Sequence, residues 1–156
     1  MSFIGSWQLA AGVATALAGM GAAVAVGSAM VPMADAATFT CTVTSVYDGD
    51  GPIRCVERGA DGKPIKIRLH AIAAREIDET CSPGHPCPSA SGRQAQQVLW
   101  QLARGQTLTC KATGRSYSRV TAWCWRRDGI ELNCAMVRSG AVLRWEKYDR
   151  QRRMCS

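Results

Sequence analysis

Eight cysteines constrain the fold of this 156-residue chain more than any other feature. All of them come after residue 40, and their number is even. In a small chain that leaves the cytoplasm, an even set of cysteines predicts a disulfide framework. We therefore expect four disulfides, each contributing roughly 2–4 kcal/mol, mainly by restricting the unfolded chain. The cysteines are Cys41, Cys55, Cys81, Cys87, Cys110, Cys124, Cys134 and Cys155.

Spacing alone does not choose among the roughly 105 pairings that eight cysteines allow. Strand geometry favours two pairs across hairpins, one pair that closes a short loop, and one that holds the C-terminal segment. These pairs are Cys41–Cys55, Cys110–Cys124, Cys81–Cys87 and Cys134–Cys155. The alternative is a zinc site built on Cys81, His85 and Cys87, although no second closely spaced Cys/His pair completes a tetrahedral set.

The N-terminal segment has the composition of a targeting sequence. Its first 34 residues carry no charged side chain, and Ala34-Asp35-Ala36 before Ala37 has the small-x-small pattern of a signal-peptidase site. We predict that residues 1–36 are an export signal and residues 37–156 the folded domain, in the periplasm or outside the cell. The run is long enough to span a bilayer, so an uncleaved anchor is the alternative, and the membrane is a partner only in that case.

The charge of the chain predicts a polyanionic partner. Lys and Arg total 19 against 12 Asp and Glu, a net charge of +7, and 15 of the cations are arginines, whose planar fork matches phosphate. Aromatic residues alternate with these arginines near the C-terminus, a pattern typical of single-stranded nucleic acid binding. The alternative is that the tryptophans fill the ends of a barrel. The aromatic residues are Trp123, Trp125, Trp145 and Tyr148.

Periodicity predicts five short strands, over residues 38–47, 53–57, 65–70, 107–112 and 118–125. Arg68 and Arg119 fall opposite the apolar residues of their strands and so point away from the core. A helix capped by Ser89 or Ser91 and ended by Gly105 lies between the third and fourth strands. Asn133 is expected to cap a second helix, and residues 145–153 are a third candidate. This order predicts a mainly β (α+β) fold, a five-stranded oligonucleotide-binding (OB) barrel with two or three helices.

Five motifs in one order give the chain a definite resemblance. Over roughly residues 43–148 it resembles the thermonuclease, or staphylococcal-nuclease-like, family, whose fold is a five-stranded OB barrel with helices. The motifs are Val46-Tyr47-Asp48-Gly49-Asp50, Ile67-Arg68-Leu69 leading to Glu76, Gly92 with Ala95, Tyr117-Ser118-Arg119, and Leu132-Asn133 through Val137 to Gly140.

The resemblance implies a site for phosphodiester hydrolysis. Arg68 and Arg119 would bind the scissile phosphate and stabilise its charge in the transition state, and Glu76 would orient or deprotonate the attacking water. Asp50 would be a calcium ligand, and Tyr117 would contact a substrate phosphate. The expected protein is an exported nuclease that acts on DNA or RNA with little sequence specificity, and no protein partner is implied.

The metal site departs from the family pattern. Where the family has Asp-(Thr or Ala)-Pro-Glu, this chain has Ala73-Ala74-Arg75-Glu76, so a second carboxylate is absent and calcium binding should be weakened. One hypothesis is that Arg75 binds the phosphate in place of the ion, which would allow metal-independent cleavage. Alternatively, the missing carboxylate ligand of the metal would be supplied by Asp48, Asp78 or Glu79. A catalytically impaired domain that binds nucleic acid or another polyanion is the alternative function.

Overall fold

The computed structural model describes residues 37–150 and 154–155. The predicted export signal over residues 1–36 lies outside the described residues, as do residues 151–153 and Ser156. In chain order the elements are β1 (Thr38–Val46), β2 (Ile53–Arg58), β3 (Pro64–Leu69), β4 (Ile72–Ala73), α1 (Gly92–Ala103), β5 (Thr107–Ser116), β6 (Arg119–Trp125), α2 (Leu132–Arg138) and β7 (Leu143–Arg144).

Five of the strands form a closed barrel in the order β1-β2-β3-β6-β5, with β5 pairing back onto β1. The β3–β6 contact is parallel and the other contacts are antiparallel. Closure leaves none of the five strands with an unpaired edge. The prediction of a mainly β, OB-like barrel is confirmed, and two helices accompany it in the described part of the chain.

The barrel interior follows the alternation seen in the sequence. Strands β1, β2, β3 and β5 each contribute a wholly buried residue, namely Cys41, Ile53, Ile67 and Leu108. Residues two apart on a strand share a face, so the buried side chains alternate with outward-facing ones. On β3 this places Ile67 and Leu69 in the core and Arg68 on the outer face. The outer face of β3 therefore carries polar side chains.

Four disulfides are present, as predicted. They join Cys41 to Cys55, Cys81 to Cys87, Cys110 to Cys124 and Cys134 to Cys155, the pairs that strand geometry favours. The zinc alternative is wrong, because the two sulfurs that it requires are bonded to each other.

Of the two helix N-caps predicted from the sequence, the one at the start of α1 is confirmed and the one at the start of α2 is not. The side chain of Ser91 caps α1 by accepting a hydrogen bond from Gln94 N at 3.0 Å. The expectation that Asn133 caps α2 is wrong, since Glu131 precedes the first residue of that helix. Asn133 is instead wholly buried and donates to the carbonyl oxygen of His70 at 2.8 Å, which fastens α2 to the barrel.

A third helix from residue 145 is not formed within the described residues. The chain makes the short strand β7 with β4 and then turns, because Trp145 N donates to Ala71 O at 2.8 Å. The buried Asp149 forms an ion pair with Arg144, whose Nε lies 2.5 Å from Asp149 Oδ2, and this pair fixes the turn. In the described part of the chain, no helix is long and apolar enough to cross a membrane.

Candidate active site

An open groove of about 770 Å³ lies on the outer face of the barrel. It is formed by the end of β3, the β5–β6 hairpin, the turn after β1, the loop after β4 and the turn after β7. Five of the residues predicted for the site line it, although they come from segments far apart in the sequence. These are Asp50, Arg68, Glu76, Tyr117 and Arg119.

The turn after β1 brings two carboxylates to the groove. Asp48 Oδ1 accepts hydrogen bonds from the backbone N–H groups of Asp50 at 3.1 Å and Gly51 at 3.0 Å. Gly49 lies against α1, so closely that a Cβ there would be 2.3 Å from the Cβ of Ala95. Only glycine fits at this position, which explains why the Asp-Gly-Asp motif and Ala95 belong to one constellation.

Arg68 is held rigidly at the floor of the groove. Its Nη2 lies 2.9 Å from Asp50 Oδ2, and its Nη1 donates to the carbonyl oxygens of Leu69 at 3.3 Å and Ile72 at 3.2 Å. The side chains of Arg68 and Asp50 are each 11% exposed. A guanidinium held by three acceptors has a fixed orientation and so presents a defined face to a ligand.

Glu76 is placed by the packing of its own backbone. A Cβ on Gly92, the first residue of α1, would lie 2.0 Å from the carbonyl oxygen of Glu76, so glycine permits this contact. The Glu76 side chain lines the groove, and its Oε1 accepts a hydrogen bond from Ser82 Oγ at 2.9 Å.

Arg119 and Tyr117 reach the groove from the β5–β6 hairpin. Arg119 Nη2 donates to Ser116 Oγ at 3.2 Å, and its Nε donates to the Ser116 carbonyl oxygen at 3.5 Å. Tyr117 stands at the rim with 94% of its surface exposed. Arg119 is thus less constrained than Arg68, because the described residues give it no acidic partner.

The charges of the groove interact strongly. Burial, together with repulsion from Asp50 and Glu76, raises the pKa of Asp48 to about 7. Burial also raises the pKa of Asp50, while Arg68 and, more weakly, Arg119 oppose this shift. The two arginines and Glu76 therefore all lie within electrostatic reach of one buried carboxylate.

Asp48→Asn should make the folded protein more stable at neutral pH, because the amide oxygen keeps both backbone hydrogen bonds and the buried charge is removed. Between its ordinary pKa of 3.8 and its folded value of about 7, Asp48 binds more protons in the folded state, so its contribution to stability falls as pH rises. The difference in the free energy of unfolding between the variant and the unsubstituted protein should increase across this window and reach about 2 kcal/mol. It is measured by urea unfolding in the presence of chelator.

The comparison of the two proteins is needed because histidines titrate in the same window. Burial lowers the pKa of His70 and of His85, so both contribute stability that is lost as pH falls, a slope opposite to that of Asp48. This slope is common to both proteins and cancels in the difference. A difference that does not change with pH would contradict the assignment to Asp48.

Asp48 and Asp50 are the groove residues suited to hold a divalent cation. Both are buried carboxylates, and within the described residues Asp48 Oδ2 accepts no hydrogen bond. Hard cations such as calcium prefer oxygen ligands of this kind. Ala73 is wholly buried and offers no side-chain oxygen, and Asp50 Oδ2 is already bound by Arg68, so the donor set is smaller than calcium usually takes.

Arg75 is not brought to the groove. Its Nη1 donates to Glu79 O at 2.8 Å and its Nη2 to Pro88 O at 2.9 Å, so the guanidinium braces the loop after β4. The geometry does not support phosphate binding by Arg75. Asp78 and Glu79 are also engaged elsewhere, with Thr80 and with the N–H of Gly92, which leaves Asp48 as the alternative carboxylate that lines the groove.

The aromatic residues divide between core and groove. Trp123 is 5% exposed and belongs to the core, whereas Trp145 and Tyr148 line the groove with their ring centroids 4.7 Å apart. His85 packs on Trp145 at 4.2 Å, a contact that the sequence did not predict. Ser82 was also missed, and its position beside Cys81 in a short disulfide loop is the one signal that could have drawn attention to it.

The comparisons with known proteins agree with this geometry at a coarse level. No protein-family model matches the chain. Two curated proteins described as "Uncharacterized endonuclease", from Escherichia coli and from Escherichia coli O157:H7, are each 30% identical over 108 residues, which cover 69% of this chain and 61% of the relative. The chain thus spans less than two thirds of those relatives, and over that span it is similar to proteins named as endonucleases.

Proposed function

We propose that this protein is an exported nuclease of the thermonuclease-like type, which hydrolyses phosphodiester bonds of DNA or RNA with little sequence specificity. The observation that carries the proposal is that Arg68, Arg119 and Glu76, from three distant segments, line one open groove. Phosphodiester hydrolysis requires cations beside the nonbridging oxygens and a placed base, and these residues supply both. The similarity to proteins named as endonucleases supports the same class of reaction.

In the proposed mechanism, Arg68 and Arg119 bind the nonbridging oxygens of the scissile phosphate from two sides. Glu76 accepts a proton from a water molecule, whose oxygen attacks the phosphorus while the bond to the leaving oxygen breaks, and the leaving oxygen takes up a proton from the solvent of the open groove. The negative charge that develops on the phosphoryl oxygens is stabilised by the two guanidiniums. The rigid Arg68 fixes the phosphate, and the less constrained Arg119 adapts to the transition state.

Asp48 and Asp50 would hold a divalent cation if one takes part. Such an ion would add positive charge beside the phosphate. Because repulsion from Asp50 contributes to the raised pKa of Asp48, a bound cation would also relieve the repulsion between the two carboxylates. Weak calcium dependence is expected from the small donor set.

Single-stranded nucleic acid is the substrate form that the groove favours. Trp145 and Tyr148 lie beside Arg68, whose Cζ is 5.9 Å from the centre of the Trp145 ring. Exposed base faces stack on aromatic rings, and the adjacent arginine binds the backbone. Bases in an intact duplex are stacked on one another and do not offer these faces.

A row of cations continues from the groove across the barrel wall. Arg54 on β2 lies opposite Lys66 in the register of β2 with β3. The parallel register of β3 with β6 places Lys66 beside Arg119. The buried Ile53, Cys55 and Ile67 on either side show that Arg54 and Lys66 face outward. We name Arg54, Lys66 and Arg119 the basic row.

Lys66→Gln should weaken binding to single-stranded DNA and lower the slope of log Kd against log salt by about one, because one phosphate contact is lost. The binding is measured by fluorescence anisotropy in the Glu76→Gln background, so that the oligonucleotide is not cleaved. Lys63→Gln is the matched control, since Lys63 is exposed in the turn between β2 and β3 and neither lines the groove nor belongs to the basic row. Equal slopes for the two variants would contradict phosphate binding along the basic row.

Cleavage of single-stranded DNA and RNA by the purified domain tests the proposed function. The assay is run with added calcium and with chelator, and the products are separated on a denaturing gel. Cleavage under either condition supports the proposal, and the comparison gives the metal requirement. The second candidate function is a polyanion-binding domain without activity, which the buried Ala73 at the position of a metal ligand suggests. The absence of cleavage with every divalent cation, together with tight salt-dependent binding, would favour this function.

Export is proposed on the disulfides, because such bonds form and persist mainly in oxidising compartments outside the cytoplasm. Mass spectrometry of the protein recovered from the periplasm or the medium tests it. A mature protein that begins near Ala37 is the expected result.

A further inference from the structure

The loop between β4 and α1 carries a hydrogen-bond donor to the groove carboxylate. Ser82 Oγ donates to Glu76 Oε1 at 2.9 Å, and both residues line the groove. The backbone around Glu76 is turned back on itself, since Glu76 N donates to Thr80 O and Glu79 N donates to Glu76 O, each at 2.9 Å. The serine thus reaches the carboxylate from a segment that folds directly over it.

Ser82 is itself held within a small closed ring. It follows Cys81, whose disulfide to Cys87 encloses the segment, and Ser82 O accepts a hydrogen bond from His85 N at 3.0 Å. The ring of His85 lies 4.2 Å from that of Trp145, so the far side of the loop rests on the turn after β7. The loop is supported on both sides of the serine.

Three further contacts fasten the loop to the rest of the domain. Arg75 donates to the carbonyl oxygens of Glu79, before the disulfide ring, and Pro88, after it. The carboxylate of Glu79 accepts from Gly92 N at 3.1 Å, which joins the loop to the start of α1. The proposed role of Arg75 at the phosphate is thus replaced by a role in holding this loop.

We propose that the Cys81–Cys87 loop holds the Glu76 carboxylate in its reacting orientation, with Ser82 as the positioning residue. The proposal rests on the proposed nuclease function. A hydrogen bond to Oε1 fixes the rotation of the carboxylate and leaves Oε2 to accept the proton of the attacking water. The disulfide fixes Ser82, so the activity depends on the oxidation state of this one bond.

Substitutions of Ser82 test the positioning role. Ser82→Ala should lower kcat for cleavage of single-stranded DNA by about tenfold with KM unchanged, because substrate binding by the arginines is not altered. Ser82→Thr, which keeps the hydroxyl, should restore kcat to near that of the unsubstituted protein. Ser82→Val has the shape of threonine without the hydroxyl and should remain about as slow as alanine.

Ser139→Ala is the matched control for the loss of a serine hydroxyl. Ser139 Oγ donates to Met136 O at the end of α2, and the residue does not line the groove, so kcat should not change. Equal kcat values for the alanine, valine and threonine variants at position 82 would overturn the positioning role. The absence of cleavage by the unsubstituted protein would overturn both the proposed function and this inference, whereas normal cleavage by Ser82→Ala would overturn the inference alone.

The disulfide is tested by the double variant Cys81→Ser, Cys87→Ser. We expect kcat to fall by about tenfold or more, as with Ser82→Ala, while circular dichroism shows the barrel intact. Removal of Cys134–Cys155 by the same double change is the control, since neither residue lines the groove, and kcat measured well below its melting temperature should be retained. Unchanged kcat in the first variant would contradict the role of the disulfide, and if that variant does not fold, the series at Ser82 still decides.

Discussion

Glu76→Gln should lower the rate of phosphodiester cleavage by about 100-fold or more, because the amide does not accept a proton from water at neutral pH. The variant keeps an oxygen that accepts the hydrogen bond from Ser82 Oγ, so the loop over the groove should be preserved. Affinity for single-stranded DNA should be kept or should rise, since a negative charge is removed from a groove that binds phosphate. Single-turnover cleavage and equilibrium binding are measured on the same preparation.

Glu146→Gln is the matched control for this substitution. Glu146 is exposed and does not line the groove, so the same change of charge should leave cleavage as it was. Comparable loss of activity in both variants would show that net charge is responsible. Cleavage by Glu76→Gln at the rate of the unsubstituted protein would exclude Glu76 as the base.

Arg68→Met should destabilise the fold by about 3–5 kcal/mol, because it leaves the buried Asp50 carboxylate without its cation. Arg119→Met removes the same charge at a position where the guanidinium donates only to the hydroxyl and carbonyl oxygens of Ser116 among the described residues, and should cost about 1 kcal/mol or less. Both variants should lose cleavage by about 100-fold or more, because each removes a group that stabilises the transition state. Urea unfolding and initial cleavage rates separate the two effects.

A second substitution distinguishes the buried ion pair from other causes of instability. Asp50→Asn added to Arg68→Met removes the unpaired charge and should recover most of the lost stability. Cleavage should not recover, since the guanidinium at the phosphate is still missing. A double variant as unstable as Arg68→Met alone would show that the lost packing of the arginine stem, and not the charge of Asp50, is responsible.

Much of the fold could be predicted because it depends on short-range patterns. Alternation of apolar residues gave the five barrel strands to within a few residues, except that β5 extends to Ser116. The errors came where a long-range contact determines the local structure. Asn133 has the sequence of a cap, but it is buried against β3 and β6, and the stretch after Arg144 turns because Trp145 N bonds to Ala71 O.

The residues of the candidate site were predicted from their type and order, but the hydrogen bonds and ion pairs between them were not. The outward direction of Arg68 follows from the period of its strand, but its ion pair with Asp50 depends on how the turn after β1 packs beneath α1. Arg75 shows the limit most plainly. Its charge suggested a phosphate ligand, and only the positions of the Glu79 and Pro88 carbonyl groups showed that it braces a loop.

The sequence by itself determined the number of disulfides, the strand alternation and the set of charged residues available for chemistry, because these depend on composition and on the order of near neighbours. The tertiary structure alone decided which charges meet. Closure of the barrel brings Arg68, Glu76 and Arg119 to one groove, and the loop after β4 places Ser82 on Glu76. The physical reason is that hydrogen bonds form only within about 3 Å and electrostatic energies fall with separation, so both depend on distances that the order of residues does not encode.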